Sequence, residues 1–182
     1  MTPSVFTVGH STRSIDAFAA ILRQAGVTRI ADVRAFPASK RHPQFNSSAL
    51  AAALEDAGID YHQLPALGGR RTAKKSGASR NGLWKVEAFR NYADYAETPA
   101  FAEALDALEA LARERPTAFM CAEAVWWQCH RRLIADYMLA RGWMVIHLLA
   151  PGKRQDAILT PGAVVERDGT IAYPPSQPGL LP

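Results

Sequence analysis

Alternation between short apolar runs and amphipathic segments constrains the fold of this chain more than any other feature. Five runs have the length and apolar content of buried strands, at residues 4–10, 27–35, 59–67, 117–122 and 143–150. Segments with apolar residues at helical spacing lie between them, at residues 14–26, 46–58, 84–97, 98–115 and 129–141. This alternation predicts an α/β fold, with a mostly parallel sheet between two layers of helices.

The domain organisation follows from the same pattern. Residues 163–173 (AVVERDGTIAY) predict a small C-terminal hairpin that turns at Asp168–Gly169. Residues 174–182 are rich in proline and predict a flexible tail. We therefore expect one three-layer α/β/α domain over residues 1–173.

Composition limits the classes of protein that this chain can represent. Hydrophobic residues make up 48% of the 182 residues and charged residues 21%, as in ordinary globular domains. No apolar run has membrane-spanning length, and a strand-like run begins at Val5 where a signal peptide would lie, so no membrane partner is expected. Two cysteines cannot supply a disulfide framework, so we expect free thiols and a cytoplasmic location.

A basic loop accounts for much of the net charge of +4. Residues 68–82 contain no acidic side chain. Such a loop either binds phosphate groups or is a solvated surface loop, and like charges together with glycines predict mobility over residues 70–80. Its basic residues are Arg70, Arg71, Lys74, Lys75 and Arg80.

Polar residues collect where the predicted strands end. Ligands of open parallel sheets bind beyond the carboxyl ends of the strands, so four separate segments are expected to meet at one site. These residues are Gly9, His10 and Ser11; Asp32 and Arg34; Gly68 and Gly69; and Cys121 and Glu123.

The segment MCAEAVWWQCHRR, residues 120–132, carries the strongest chemical signal. Cys129 lies at a predicted helix N-terminus beside His130 and Arg131, where its thiol should have a lowered pKa and act as a nucleophile or metal ligand. The alternative for Cys129 is a small buried apolar residue. Cys121 lies within an apolar strand, where packing is the expected role. Trp126 and Trp127 are predicted to be partly core and partly pocket wall, where an indole can stack on a base or sugar.

Three residues near the other strand ends leave two interpretations open. His10 is either a general base or a cap for the first helix. Asp32 and Arg34 point the same way along their strand, two residues apart. They form either a structural ion pair or a site in which Arg34 holds a ligand anion that Asp32 orients.

The chain also resembles the bacterial and archaeal family described as domain of unknown function 488. The resemblance implies a compact α/β domain with its motif residues at one end of the sheet, and no settled reaction. Those residues correspond here to His10, Ser11, Asp32, Arg34, Gly68, Gly69, Cys121, Glu123, Cys129, His130 and Arg131. The resemblance extends over residues 7–149, about four fifths of the chain, and the matching motifs follow in the same order: TVGHS (7–11), DVRAFPAS (32–39), FN (45–46), GIDYHQLPALGGRR (58–71), YADYAETPAF (92–101), MCAE (120–123), CHRRLIADYMLARG (129–142) and VIHLL (145–149).

Three functions compete on this basis. The first is an enzyme or sensor for a nucleotide, nucleic acid or other phosphate-bearing ligand, without a cofactor, in which Cys129 is a possible nucleophile. Its predicted catalytic residues are Cys129, Glu123, His10 and Asp32. Its predicted ligand-binding residues are Ser11, Arg34, Gly68, Gly69, Arg70, Arg71, Trp126, Trp127, His130 and Arg131.

The second function is a zinc-dependent, deaminase-like or hydrolytic enzyme that uses Cys121, Cys129 and His130 as ligands. The deaminase signature is incomplete, because its second half, Pro-Cys-x-x-Cys, is absent from this sequence. The third is a non-catalytic module that binds nucleic acid through the 70–80 loop and does not depend on Cys129.

Overall fold

A six-stranded, mostly parallel sheet forms the centre of the molecule. The computed structural model describes residues 2–73 and 77–176. The strand order is β3-β2-β4-β1-β5-β6, in which β6 is antiparallel to β5 and the other pairs are parallel. The strands are β1 Ser4–Gly9, β2 Arg29–Asp32, β3 Asp60–Gln63, β4 Thr117–Cys121, β5 Met144–Ala150 and β6 Lys153–Asp156.

Five α-helices in the described part of the chain connect the strands. Ser14 caps the first through a bond from the backbone N–H of Ala17, and Thr98 caps the fourth in the same way through Phe101. Pro99 occupies the first turn of the fourth helix, where the missing N–H costs nothing. The helices are α1 Ile15–Gln24, α2 Ser47–Asp56, α3 Glu87–Ala96, α4 Pro99–Glu114 and α5 Arg131–Ala140.

Two apolar clusters, one on each face of the sheet, form the core. Side chains alternate along β4, so that Ala118 and Met120 pack with α1 and α2, while Phe119 and Cys121 face α4 and α5. The predicted three-layer α/β/α architecture is thereby confirmed.

The C-terminal part contains a predicted and an unpredicted element. The predicted hairpin is present as β7 Val164–Val165 and β8 Ile171–Ala172, with Gly169 at a positive φ of 83° in the turn. Strand β6 was not predicted, because its sequence KRQD is polar and exposed throughout and pairs only through its backbone. None of the helices in the described ranges has the length and apolar character needed to cross a membrane.

Two predictions concern residues outside the described ranges. Residues 74–76 of the basic loop, including Lys74 and Lys75, lie outside them. So do residues 177–182 of the proline-rich tail. The mobility predicted for these segments stays a prediction.

Candidate functional site

The carboxyl ends of β2, β4 and β1 lie side by side and define one edge of the sheet. The pairing is in register, with Gly9 opposite Cys121 and Asp32 opposite Met120. After β1 the chain crosses towards β2, and after β4 it crosses the opposite way towards β5. The gap between the ends of β1 and β4 is therefore a topological switch point, where α/β sheets bind their ligands.

Two cysteines meet at this switch point. Cys121 is the last residue of β4, and Cys129 follows a short 3₁₀ turn, Trp126–Gln128, just before α5. Their Sγ atoms are 2.6 Å apart, and both are free cysteines that are no more than 3% exposed. Eight residues of sequence separate them, but the strand and the helix start bring their thiols into contact.

Arg131 is buried beside the two thiols and is only 1% exposed. Its Nε donates to Cys121 Sγ at 3.0 Å, its Nη1 to Thr7 Oγ1 at 2.9 Å and its Nη2 to the Glu123 carbonyl oxygen at 2.6 Å. No carboxylate forms an ion pair with this guanidinium within the described part of the chain. A buried cation needs a compensating anion, and the available anion is a cysteine thiolate.

His130 contacts Cys129 from the other side. Its Nε2 lies 2.9 Å from the Val33 carbonyl oxygen, which can only accept, so Nε2 carries a hydrogen. In the neutral ring this leaves Nδ1 as an acceptor, 3.5 Å from Cys129 Sγ. His130 is thus oriented to take the proton of the Cys129 thiol.

The two thiols differ in acidity. Burial alone would raise the pKa of Cys129, but the hydrogen bond with Cys121 and the charges of His130 and Arg131 outweigh it and lower this pKa well below its ordinary value. Burial, together with the hydrogen bond and charge of Cys129, raises the pKa of Cys121 well above its ordinary value. These opposite shifts favour the thiolate form of Cys129 and the thiol form of Cys121.

A second polar cluster joins the ends of β1 and β2. Arg34 forms a bidentate ion pair with Asp32, at 2.8 Å from Nε to Oδ1 and 2.6 Å from Nη2 to Oδ2, and Tyr61 Oη donates to Asp32 Oδ2 at 2.6 Å. Arg34 Nη1 lies 3.3 Å from His10 Nε2, while His10 Nδ1 donates to the Ser11 carbonyl oxygen at 2.8 Å. Burial lowers the pKa of His10 to about 4, so that His10 is neutral at physiological pH.

Three glycines allow the backbone to pack closely around the site. A Cβ on Gly9 would lie 1.8 Å from the Glu123 carbonyl oxygen. A Cβ on Gly68 would lie 2.6 to 2.7 Å from Ala35, and one on Gly69 would lie 2.6 Å from His130 Nδ1. The structure shows this packing role for Gly68 and Gly69, and the ligand-binding role predicted for them stays a prediction.

A pocket of about 310 Å³ opens onto the cysteine pair. It brings seven of the predicted residues together, while Phe36, Phe89 and Tyr92 add an aromatic wall. Phe36 is 71% exposed, and the Arg70 Cζ atom lies 5.9 Å from the centroid of its ring. The seven predicted lining residues are Arg34, Gly69, Arg70, Cys121, Glu123, Cys129 and His130.

The remaining predicted site residues lie outside this lining. His10 and Asp32 contact Arg34 but do not line the pocket. Trp126 stacks on His147 at 4.3 Å, and the neighbouring Trp127 is 47% exposed.

Two arginines of the basic loop, Arg71 and Arg80, bind groups of the protein itself, and Ser11 lies in the turn after β1. The Arg71 guanidinium donates to the carbonyl oxygens of Pro65, Ala66 and Gly68. Ser11 has a positive φ of 52° in the turn after β1 and is partly exposed. In the basic loop, Arg80 forms ion pairs with Glu97 and Glu166.

Sequence reasoning missed three residues that support the site. Thr7 lies two positions before Gly9 on the face of β1 towards α5, and it joins Arg131 to His147 Nδ1, which is 3.1 Å from its hydroxyl. Tyr61 orients Asp32, and Tyr92 packs its ring edge-to-face on His130 at 5.3 Å. Period-two alternation could have found Thr7, but Tyr61 and Tyr92 required the packing of neighbouring elements.

Cys121, Cys129 and His130 also form the one cluster among the described residues that could hold a metal ion, with ligand atoms within 4.8 Å of one another. Two thiolates on tetrahedral zinc are roughly 3.8 Å apart, given Zn–S bonds of about 2.3 Å. The sulfurs here are at 2.6 Å, and Arg131 Nε points at one of them. Zinc would require the thiols to separate and a guanidinium to lie beside the ion.

Comparison with known proteins assigns the family. Neither the curated proteins nor the solved structures include a match to this chain. The family model described as domain of unknown function DUF488 matches residues 14–138, which is more than half of the chain and includes both cysteines, His130 and Arg131. The chain is therefore a member of the DUF488 family.

Proposed function

We propose that this protein is an enzyme whose nucleophile is the Cys129 thiolate and whose substrate is a small phosphate-bearing molecule. The observation that carries the proposal is the buried guanidinium of Arg131, which has thiols rather than carboxylates beside it. A buried arginine remains protonated at any physiological pH, so its neighbourhood favours an anion. Cys129 supplies that anion at the floor of a pocket that a small molecule can enter.

The roles of the neighbouring residues follow from their contacts. His130 Nδ1 faces the Cys129 sulfur, so it can accept the thiol proton and later return a proton to a leaving group. Glu123 lines the mouth with an exposed side chain, so its carboxylate can exchange protons with a bound substrate. Cys121 keeps the shared proton and thereby stabilises the charge on Cys129.

Two arginines support an anionic substrate. Arg34 uses three of its five N–H groups on Asp32 and His10, so among the described residues one N–H on each Nη remains without a hydrogen-bond partner at the pocket wall. The Arg70 guanidinium at the mouth is exposed. Phe36, Phe89 and Tyr92 offer apolar surface beside these cations, which suits a phosphate carried on an aromatic or otherwise apolar group such as a nucleoside.

Competitive alkylation tests the proposal. At neutral pH, iodoacetamide should label Cys129 in the folded protein well before Cys121, and a mixture of nucleotides should slow this labelling in the wild type. Arg34→Met should abolish the protection by nucleotides without abolishing labelling. Cys129 that labels only after unfolding would refute the nucleophile, and labelling unaffected by any nucleotide would refute the substrate class.

A zinc enzyme is the second candidate, supported by the proximity of Cys121, Cys129 and His130. Elemental analysis of protein purified without chelators decides between the two. One equivalent of zinc that is lost in both Cys129→Ser and Cys121→Ser would favour the metal enzyme, whereas metal-free protein with fast Cys129 labelling favours the thiol enzyme.

A further inference from the structure

Cys121 is a second thiol in contact with the first, and a one-thiol mechanism leaves it without a chemical step. We propose that Cys121 is a resolving cysteine: a hydroperoxide that enters the pocket oxidises Cys129, and Cys121 then closes a Cys121–Cys129 disulfide. This inference rests on the proposed function, because it requires Cys129 to be a nucleophile. It adds an oxidant as a second class of ligand for the same pocket.

The positions of the two residues favour this reaction. Cys121 is held on the central strand β4 and Cys129 at the start of α5, and their sulfurs are already in contact. The two elements therefore need little rearrangement to bring the sulfurs within bonding distance. Both residues line the pocket, which is the route by which a small oxidant reaches otherwise buried thiols.

The chemistry balances with one molecule of hydroperoxide. The Cys129 thiolate attacks one peroxide oxygen, the O–O bond breaks, and Cys129 becomes a sulfenic acid while hydroxide or alkoxide leaves with the electron pair. Cys121 then loses its proton, and its thiolate attacks the sulfenic sulfur. The S–O bond breaks, and the departing hydroxide takes up a proton to become water. Overall, two thiols lose two electrons and two protons, and the peroxide is reduced to water, or to water and an alcohol.

Arg131 is placed to assist the second step. Its Nε donates to Cys121 Sγ at 3.0 Å, so the guanidinium lies next to the thiol that must ionise once Cys129 is uncharged. The same buried cation thus compensates the Cys129 thiolate before oxidation and the Cys121 thiolate after it. The resulting disulfide carries no charge, and it removes the nucleophile of the proposed enzyme.

Peroxide titration with mass spectrometry tests the pairing. The reduced wild-type protein is treated with equimolar hydrogen peroxide, digested with trypsin and analysed. Trypsin does not cut between the two cysteines, so both lie in one peptide that ends at Arg131. We expect this peptide to lose the mass of two hydrogens, to resist iodoacetamide and to regain both thiols with dithiothreitol. In Cys121→Ser we expect a sulfenic acid at Cys129 that dimedone traps, and in Cys129→Ser no reaction at equimolar peroxide.

Three results would overturn the inference, and they bear differently on the proposed function. If the wild type gains oxygen at Cys129 while Cys121 stays a free thiol, and Cys121→Ser forms the dimedone adduct, the resolving role fails and the nucleophile stands. If neither protein reacts with peroxide while iodoacetamide still labels Cys129 in the folded protein, the inference fails and the nucleophile stands; if neither reagent modifies Cys129, both fail. Cys121→Ala provides the same measurement should the serine variant not fold.

Discussion

Arg131 donates a hydrogen bond from Nε to the Sγ of Cys121 at 3.0 Å, in a part of the interior where both residues are only 1% exposed. An arginine in such a place normally contacts a carboxylate, and here it contacts sulfur. The two residues come from α5 and β4, whose meeting at the switch point of the sheet fixes the contact. The ionisation of the cysteine pair is therefore coupled to the packing of the central strands.

Removing the guanidinium should weaken the stabilisation of the Cys129 thiolate, because the charge of Arg131 is one of the causes that lower the pKa of Cys129. In Arg131→Met we expect the iodoacetamide labelling rate of Cys129 at neutral pH to fall by about tenfold or more, since each unit of pKa corresponds to about 1.4 kcal/mol. We also expect a loss of about 1 to 3 kcal/mol in the free energy of unfolding, because the Glu123 carbonyl and Thr7 hydroxyl lose their donor.

The neighbouring Arg132 provides the control for this variant. It contacts Thr160 and the Trp84 ring rather than sulfur. Arg132→Met should therefore leave the labelling rate of Cys129 close to that of the wild type. An Arg131→Met protein that labels as fast as the wild type would show that the guanidinium does not sustain the thiolate.

The pH profile of alkylation should differ from that of an ordinary thiol. An ordinary thiol has a pKa of about 8.5 and labels ever more slowly as the pH falls below that value. Because the pKa of Cys129 is lowered well below its ordinary value, its thiolate and its labelling rate should persist as the pH falls through that range. They should decline only at the lower, folded-state pKa. A profile centred near the ordinary thiol pKa, measured by quenched alkylation and peptide mapping, would contradict the lowered pKa.

Close packing of Gly69 against His130 should be necessary for the geometry of the proposed nucleophile, Cys129. In Gly69→Ala the new Cβ would lie 2.6 Å from His130 Nδ1, so the ring must leave its present position, in which Nδ1 lies 3.5 Å from Cys129 Sγ. We expect Cys129 labelling to slow several-fold while circular dichroism shows a folded protein. Gly82→Ala is the matched control, because its Cβ would lie 3.3 Å from Pro175, away from the site. Equal labelling rates in the two variants would contradict the positioning role of Gly69.

The ion pair between Asp32 and Arg34 should stabilise the folded protein because the Asp32 carboxylate compensates the charge of the Arg34 guanidinium. Arg34 is 8% exposed, so Asp32→Asn leaves a nearly buried cation without its carboxylate and should cost about 3 to 5 kcal/mol in the free energy of unfolding. The double variant Asp32→Asn with Arg34→Met removes the cation as well and should recover part of that loss. Urea denaturation measures both. A double variant that is less stable than Asp32→Asn would mean that packing by Arg34 outweighs its charge.

The sequence by itself determined the layers of this protein and the edge of the sheet at which the candidate site lies. The spacing of apolar residues and helix caps such as Ser14 and Thr98 determine local structure over a few neighbouring positions. They can therefore be interpreted without knowledge of tertiary contacts. In a parallel sheet all carboxyl ends share one edge, so His10, Asp32 and Cys121 could be assigned to the same region. Strand β6 could not be predicted from the sequence, because an exposed edge strand needs no apolar pattern.

Only the tertiary structure decided which of these residues touch. The strand order β2-β4-β1 sets Cys121 beside Gly9, and α5 then brings Cys129 and Arg131 against it. Asp32 and Arg34, for which the sequence left two interpretations open, form a buried bidentate pair. Contacts between side chains from different elements depend on register and packing over the whole sheet. No local pattern encodes them, and the pairing of a thiol with a buried arginine is such a contact.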